Sequence, residues 1–355
     1  MAVGLSGCSP VAAHSAGPEL LYVAGGNELR AVGVEDLKTV GSVPLAGPVV
    51  AGVAQGQSLQ LLIGGAEPAW MELDTKTQRV LRRQRLDFVP VAMAAGAHAG
   101  EVYILGNRAG QAHLLGWNTG GGRLGASGFA GRAVALAAGR NDNRPLLLAG
   151  VDQPPQLVVT DPKGLQVLGR VGLVSAPRQV LALPYGHKAF VLCGSTVAVV
   201  DTALPGLLTY LRLGRDPQWM LLKPDGGELY VSNADGTVSV VNTTTNEVSD
   251  TMAAGLGAGA MAVDAGGNFL YVANATAGTV SVISIADRRT QAVIHVGQQP
   301  RSLALDPAGL LLFAADAVSD DVAVMRSSQD PGSPNSLLTL LPSPGAPTYV
   351  AVVPQ

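Results

Sequence analysis

The chain has 355 residues with a formal charge of −3, and only 14% of the residues are charged and 4% aromatic, while 45 are glycine and 23 proline. This composition is typical of short apolar strands joined by tight turns, and the charge balance argues against a nucleic-acid partner. No apolar run approaches the roughly 18 to 20 residues that a membrane-spanning helix needs. We therefore expect an all-β protein that meets a membrane only through a lipid anchor.

The first 18 residues differ from the rest of the chain. The motif Leu-Ser-Gly-Cys at 5–8 resembles the bacterial lipobox, in which the cysteine becomes lipidated, and a Ser/Pro/Ala/Gly tether follows at 9–18. The four residues before the motif are too few for a signal peptide, so either the start lies further upstream or the match is accidental. We expect residues 1–18 to be a truncated lipoprotein signal and tether, with lipidation at Cys8. The protein would then lie at the periplasmic face of the bacterial envelope or be secreted.

From residue 19 onward, a unit of about forty residues repeats, as in a β-propeller blade of four strands. An apolar Leu-Tyr-Val-like triplet marks each unit. Eight such triplets occur, at 21–23, 61–63, 102–104, 146–148, 189–191, 229–231, 270–272 and 311–313. The repeat predicts one all-β propeller over residues 19–355.

A second apolar segment precedes the triplet in each unit and predicts the innermost strand. It occurs at 49–53, 91–95, 133–137, 179–183, 219–223, 260–264, 302–306 and 349–353. The first triplet has no such segment before it, and the last segment has no triplet after it. This offset predicts that the C-terminal strand completes the N-terminal blade and closes the ring, which removes exposed edges. We count eight blades, with seven as the alternative if one weak repeat is misread.

The units resemble YVTN-type β-propeller repeats. The resemblance is close over 218–307, where Leu-Tyr-Val-Ser-Asn stands at 229–233, Gly-Thr-Val-Ser-Val-Val-Asn at 236–242 and Leu-Tyr-Val-Ala-Asn at 270–274. Before residue 217 it is limited to spacing and apolar pattern. It implies a bacterial envelope protein of the lactonase-like and surface-layer-type propeller superfamily, in which seven blades are common.

Candidate binding residues lie where the innermost strands begin, at one mouth of the expected central channel. Aligning the repeats places one residue from each unit at this point, namely Val49, Pro90, Arg132, Arg178, Gln218, Gly259, Arg301 and Thr348. Three arginines would then share the mouth, with Trp219 and Tyr349 adding aromatic surface. Guanidinium groups favour carboxylates and phosphates, which predicts an anionic ligand. The alternative is that each arginine bonds loop carbonyls between blades.

Other features have simpler interpretations. Cys193 fits a small core residue, and the five histidines form no metal-binding motif. The loop 316–321 carries three aspartates, which suggests either a solvated turn or, less simply, a weak calcium site. Arg79, Arg82, Arg83 and Arg85 lie on an outermost strand, where they either protect an edge from aggregation or bind an anionic partner.

No catalytic residue set is visible in the sequence. We therefore expect a monomeric, non-catalytic envelope propeller that binds an envelope protein, a glycan or another anionic ligand, with no cofactor and no metal. Two alternatives stay open. The chain could be a hydrolase resembling the propeller lactonases, or an accessory subunit of an envelope redox complex.

Overall fold

The computed structural model describes residues 19–120, 122–141, 144–327 and 335–354. The predicted lipidation site at Cys8 and the tether at 1–18 lie outside the described residues. Within those ranges the chain forms 32 strands in eight four-stranded sheets, and no helix there has the length and apolar character needed to cross a bilayer. The predicted propeller of eight blades is confirmed, and the alternative of seven is wrong.

The strands follow each other with short connections, and each blade is read from the channel outward as innermost, second, third and outer strand. The first four blades contain β1 (Glu19–Gly25), β2 (Glu28–Gly33), β3 (Thr39–Pro44), β4 (Val49–Gln55), β5 (Ser58–Ile63), β6 (Ala69–Asp74), β7 (Arg79–Arg85), β8 (Val89–Ala95), β9 (Glu101–Arg108), β10 (Gln111–Asn118), β11 (Gly122–Phe129), β12 (Arg132–Asn141), β13 (Arg144–Asp152), β14 (Gln156–Asp161) and β15 (Gln166–Gly172). The last four blades and the closing strand contain β16 (Pro177–Ala182), β17 (Lys188–Cys193), β18 (Thr196–Asp201), β19 (Gly206–Arg212), β20 (Pro217–Leu222), β21 (Glu228–Asn233), β22 (Thr237–Asn242), β23 (Glu247–Ala253), β24 (Ala258–Val263), β25 (Phe269–Asn274), β26 (Thr279–Ser284), β27 (Arg289–His295), β28 (Pro300–Leu305), β29 (Leu311–Asp316), β30 (Asp321–Arg326), β31 (Ser336–Pro342) and β32 (Pro347–Pro354).

The ring closes through the C-terminal strand. Blade 1 has the order β3-β2-β1-β32, whereas blades 2 to 8 each use four consecutive strands. In the closing pair, Tyr22 lies opposite Ala351 and Val23 opposite Val350. The predicted pairing of the two chain ends is therefore confirmed, and the innermost edge of blade 1 is covered.

The core is divided among the eight interfaces between neighbouring blades. Each interface contains one cluster of buried apolar side chains, because the alternating residues of a strand face the blades on either side. At the closing interface Phe313 of blade 8 packs with Leu21 and Val350 of blade 1. Fully burying one side chain of this size contributes about 1.5 to 3 kcal/mol, so the loss of a closing strand affects two interfaces at once.

Local sequence determines the hairpin turns. In the turn after β28, the Asp306 carboxylate accepts hydrogen bonds from the backbone N–H groups of Leu310 and Leu311 at 2.6 and 2.9 Å, and Gly309 adopts a φ of 71° that few other residues tolerate. In the turn after β22, Asn242 Oδ1 accepts from Thr244 N at 2.9 Å. The Asp-Pro-Ala-Gly and Asn-Thr-Thr-Thr segments therefore form the tight turns that the glycine- and proline-rich composition indicates.

Candidate functional site

The ring has two faces with different connections. The connector face carries the links from each outer strand to the next innermost strand and the loops between second and third strands. The turn face carries the hairpins after the innermost and third strands.

Polar bonds join neighbouring blades at the turn face. Lys188 Nζ donates to Thr243 O at 2.9 Å, and the Arg288 guanidinium pairs with the Glu228 carboxylate. The innermost strands begin at the connector face, where all six predicted ligand-binding residues were expected.

A β-bulge stands at the start of every innermost strand and decides which residues are equivalent. One residue of each innermost strand is left unpaired there. In blade 7 two residues, Gly259 and Ala260, are left unpaired. The bulge positions of blades 1 to 8 are Thr348, Val50, Val91, Val134, Arg178, Gln218, Gly259 and Arg301. A bulge redirects a side chain. The register of the bulges, rather than the sequence alignment, therefore decides which side chains occupy equivalent places in the eight blades.

The predicted equivalence of the three arginines is wrong in one case. Arg132 lies two residues before the bulge residue Val134 and pairs in register with Asp152. Its Nη2 is 3.4 Å from the Asp152 Oδ2. Only Arg178 and Arg301 share the bulge position, and they stand three blades apart.

Arg178 braces two blades. Its Nη2 donates to the carbonyl oxygen of Gly194, in its own blade, at 2.9 Å and also to the carbonyl oxygen of Pro217 at the start of blade 6. Both acceptors are backbone groups of the connector face. This contact pattern matches the alternative interpretation, in which arginine at this position bonds carbonyls between blades.

The other two polar members of the predicted site bond to their own connectors, and no bond from either side chain to another blade is found among the described residues. Arg301 Nη2 donates to Gln299 Oε1 at 2.7 Å, and Gln218 Nε2 donates to Asp216 O at 3.1 Å. Arg301 is exposed and Gln218 is half-buried. Both side chains therefore remain at the surface of the connector face without bridging blades.

The two aromatic residues do not form the expected rim surface. Tyr349 is 2% exposed and belongs to the cluster between blades 1 and 2, where burial raises the pKa of its phenol. Its hydroxyl lies over Gly52, at which a Cβ atom would be only 2.2 Å away. Trp219 is half-buried against the cluster between blades 6 and 7. The placement of Tyr349 at the surface was wrong because ring closure packs this residue against the next blade.

Blade 8 carries a pair of facing carboxyls at the loop 316–321, one buried and one half-buried. Asp316 ends β29 and is fully buried, and its Oδ2 accepts a hydrogen bond from Gly297 N at 3.1 Å. Asp321 lies directly opposite in the register. Burial, as the largest cause, and the Asp321 carboxyl together raise the pKa of Asp316 to about 7. The solvated interpretation is wrong for Asp316.

The repeat itself contains the signal for this pair. The residues equivalent to Asp316 in blades 6 and 7 are Asn233 and Asn274, which are equally buried. Asn274 Nδ2 donates to Thr279 Oγ1 at 3.0 Å, and Asp321 occupies the place of Thr279 in blade 8. Blade 8 thus replaces a hydrogen-bonded amide and hydroxyl with two carboxyls. In the ranges that the structure describes, no group of three or more His, Cys, Asp or Glu side chains is arranged to hold a metal ion.

The connector face carries exposed aliphatic side chains that the sequence analysis missed. Val89, Val174, Leu256 and Val318 are each more than half exposed. Val89 is the first residue of β8 in blade 3, Val174 and Leu256 lie in the connections that lead into blades 5 and 7, and Val318 lies in the loop between β29 and β30 of blade 8. The turn face also carries large exposed apolar residues in its hairpin turns, among them Tyr185 and Leu204 of blade 5 and Leu310 of blade 8.

Hydrogen bonds fix the backbone that carries these aliphatic residues. Val174 N donates to Tyr210 Oη at 3.1 Å, and Val318 N donates to Gln298 O at 3.1 Å. Leu256 O accepts from Ala277 N, also at 3.1 Å. A surface that is already ordered loses less entropy when a partner binds.

The fold and its connections define the class of the protein as an eight-bladed β-propeller. The model of the family described as "Lactonase, 7-bladed beta-propeller" matches residues 234–352, about one third of the chain, from the second loop of blade 6 to the closing strand. The predicted resemblance to the lactonase-like propeller superfamily is confirmed over this part, although the ring has one blade more than the family description states. Among curated proteins no match is found.

Solved structures with the same fold have unrelated sequences. The dihydro-heme d1 dehydrogenase NirN in complex with DHE superposes with a TM-score of 0.78 at 10% identity, covering 94% of this chain and 74% of that one. AztD of Citrobacter koseri gives 0.61 at 13% identity, with coverages of 96% and 98%. The hydrazine synthase of Kuenenia stuttgartiensis gives 0.60 at 15% identity, with 78% and 94%. At sequence identities this low, the similarity shows that the fold is shared and nothing more.

Proposed function

We propose that the protein is a non-catalytic binding scaffold of the bacterial cell envelope, which holds a partner protein on its connector face. The observation that carries this proposal is the set of four exposed aliphatic residues on that face, Val89, Val174, Leu256 and Val318. Protein interfaces combine apolar contacts with a polar rim that often contains arginine, and Arg301 supplies such a group on the same face. Loops on a rigid scaffold are the usual place for binding residues.

An anion at the channel mouth is not part of this proposal. Arg132 is already paired with Asp152, and Arg178 is bonded to two backbone carbonyls. Neither guanidinium offers its full set of donors to a ligand without losing these contacts. A partner that buries aliphatic side chains suits the connector face better than a small anion does.

Site-specific photocrosslinking in the native envelope tests the proposal. A photoreactive residue placed at 174 or 256 reports on the connector face, and one placed at 185 or 204 serves as the matched control on the turn face. We expect one common partner band from the two connector positions and none from the two controls. Equal crosslinking from both faces would overturn the assignment of the face.

Substitutions then test the apolar contacts. Leu256→Ser and Val318→Ser should release the crosslinked partner with the melting temperature unchanged, because both side chains are exposed. Leu204→Ser, on the turn face, should have no effect on the partner. Envelope location is tested separately by detergent partitioning of the wild type and Cys8→Ser, expressed with any upstream residues that the gene encodes.

A lactonase-like hydrolase is the second candidate, because the family model matches residues 234–352. A panel of lactones and phosphoesters, measured with and without Ca²⁺, Mg²⁺ or Zn²⁺, separates the two candidates. Metal-dependent turnover would favour the hydrolase. If the protein turns over no member of the panel and still crosslinks to its partner, the function as a binding scaffold is favoured.

A further inference from the structure

The outer strand of blade 2 carries an unusual concentration of positive charge. β7 has the sequence Arg-Val-Leu-Arg-Arg-Gln-Arg, and all seven residues are exposed. The other seven outer strands together contain the same number of arginines, one each in β11, β15, β19 and β27. We call the exposed residues of β7 the arginine edge.

Protection of a sheet edge does not account for this concentration. Every blade has an outer edge that could pair with another chain, and charged residues on such a strand oppose that pairing. Yet β3 and β31 contain no charged residue at all, although they lie at equivalent positions in blades 1 and 8. If edges required arginine, these two strands would carry it as well.

Most of the arginine edge is not neutralised by the protein. Arg82 Nε lies 3.8 Å from Glu72 Oε2. For Arg79, Arg83 and Arg85 there is no ion pair within the described part of the chain. Guanidinium groups without acidic partners keep their capacity to bind carboxylates through paired N–H donors.

A recess lies beside two of these arginines. Arg83 and Arg85 are two residues apart in β7, so their side chains project from the same face of the strand. They line a recess of about 230 Å³ together with Glu67 and Ala69. Ala69 lies opposite Arg85 in the register, and its small side chain leaves space between the two guanidinium groups and the loop that carries Glu67.

We propose that the arginine edge binds an extended acidic segment of a partner protein, which adds to β7 as a fifth strand of blade 2. Strand addition uses the backbone groups that β7 leaves unpaired on its outer side. The carboxylates of alternate residues in such a segment fall on one face, and there they meet Arg83 and Arg85. Val80 and Leu81, both exposed, give the segment apolar contacts as well.

Glu67 favours a polypeptide over a dense polyanion. Its carboxylate lies in the same recess as Arg83 and Arg85, so a closely spaced row of phosphates or sulfates would meet a like charge. A peptide with carboxylates on every second residue can place them on the arginines and leave an uncharged residue near Glu67. The arginine edge runs along the outer strand of blade 2 and reaches the connector face only at the loop that carries Glu67. The proposal does not depend on the function proposed for the connector face.

Fluorescence anisotropy with a labelled acidic peptide tests the proposal. The probe is a heptapeptide that alternates glutamate with valine or threonine, and a second peptide with proline at two internal positions cannot form a strand. We expect saturable binding of the first peptide to the wild-type protein, weakened as salt increases. The double variant Arg83→Gln/Arg85→Gln should bind at least tenfold more weakly, and the proline peptide should not bind.

Matched controls separate the arginine edge from general positive charge. Arg212→Gln/Arg289→Gln removes two exposed arginines from the outer strands of blades 5 and 7 and should leave peptide binding unchanged. Equal binding by the wild type and the Arg83/Arg85 variant would overturn the proposal. Equal binding of the proline peptide and the strand-forming peptide would overturn it as well. So would binding of heparin or anionic vesicles that falls as much in the Arg83/Arg85 variant as binding of the peptide does. A second copy of the chain is the other possible occupant of the arginine edge, and sedimentation of the protein alone tests for it. Self-association of the wild type that is lost in the Arg83/Arg85 variant would assign the edge to that second copy.

Discussion

The side-chain amide of Gln179 in blade 5 bonds both backbone groups of Met220 in blade 6. Gln179 Nε2 donates to Met220 O at 2.9 Å, and Met220 N donates to Gln179 Oε1 at 2.7 Å. Asn107 makes the same two-way contact with Ala133 across the interface between blades 3 and 4. In each case a side-chain amide takes the place of a strand partner for the innermost strand of the next blade. Gln179 reaches it from an innermost strand and Asn107 from a second strand.

The first prediction concerns this amide. Gln179→Ala leaves the N–H and C=O of the buried Met220 without partners, so the free energy of unfolding should fall by about 2 kcal/mol. Gln218→Ala, which removes one bond to the neighbouring connector, should change it by less than about 0.5 kcal/mol. Thermal or urea unfolding of both variants checks the difference. Equal loss in the two variants would contradict the bridging role.

The second prediction separates two arginines at the same bulge position. Arg178→Gln removes the contacts to Gly194 O and Pro217 O and should lower stability by about 1 kcal/mol, because two connectors lose a shared donor. Arg301→Gln, whose parent side chain bonds only Gln299, should leave the melting temperature nearly unchanged. A loss in both variants would show that the position braces the ring in every blade.

The third prediction concerns the pH dependence of stability. Folding raises the pKa of Asp316 from 3.8 to about 7, so the native state holds this proton more tightly than the unfolded chain does. The contribution of this carboxyl to stability is therefore greatest at low pH, falls as the pH rises from about 4 to about 7, and is constant above that range. Melting curves between pH 4 and pH 8 measure the slope.

Asp316→Asn isolates that effect. The substitution installs the residue that blades 6 and 7 carry at this position, Asn233 and Asn274, and its N–H groups can donate to the Asp321 carboxylate. We expect a gain of about 1 to 2 kcal/mol at pH 8 and a smaller decrease in stability between pH 4 and pH 7. Asp320→Asn, at the exposed neighbour, is the matched control. A lower melting temperature at pH 8 for Asp316→Asn would contradict the view that burial and the Asp321 carboxyl make the charged form of Asp316 unfavourable.

The fourth prediction concerns ring closure. Deleting residues 347–355 removes β32, uncovers β1 along its full length and exposes the clusters on both sides of blade 1. The truncated chain should show no cooperative unfolding transition. A synthetic peptide of residues 345–354 added in excess should restore the transition in a concentration-dependent way. A truncated protein that melts like the full-length chain would mean that closure contributes nothing.

The sequence is sufficient to predict the strands and the turns, and it favours eight blades over seven, a number that the eight sheets of the closed ring confirm. Leu-Tyr-Val triplets at a regular spacing are apolar because second strands are buried on both faces, as Leu229, Tyr230 and Val231 are. The offset between first and last repeats was sufficient to predict the pairing of β1 with β32. These features depend on local alternation and on order along the chain, and both can be read without coordinates.

Which residues meet at the connector face depends on the bulges and the closed ring, and these become visible only in three dimensions. A bulge moves the equivalent position in blade 4 by two residues, from Arg132 to Val134, and the sequence alignment could not detect this because both registers leave the apolar pattern intact. Tyr349 is buried because closure places it over Gly52 of the next blade, far away in sequence. Contacts between blades depend on neighbours that only the closed ring brings together, and these contacts determine whether a polar or aromatic residue braces the scaffold or stays at its surface.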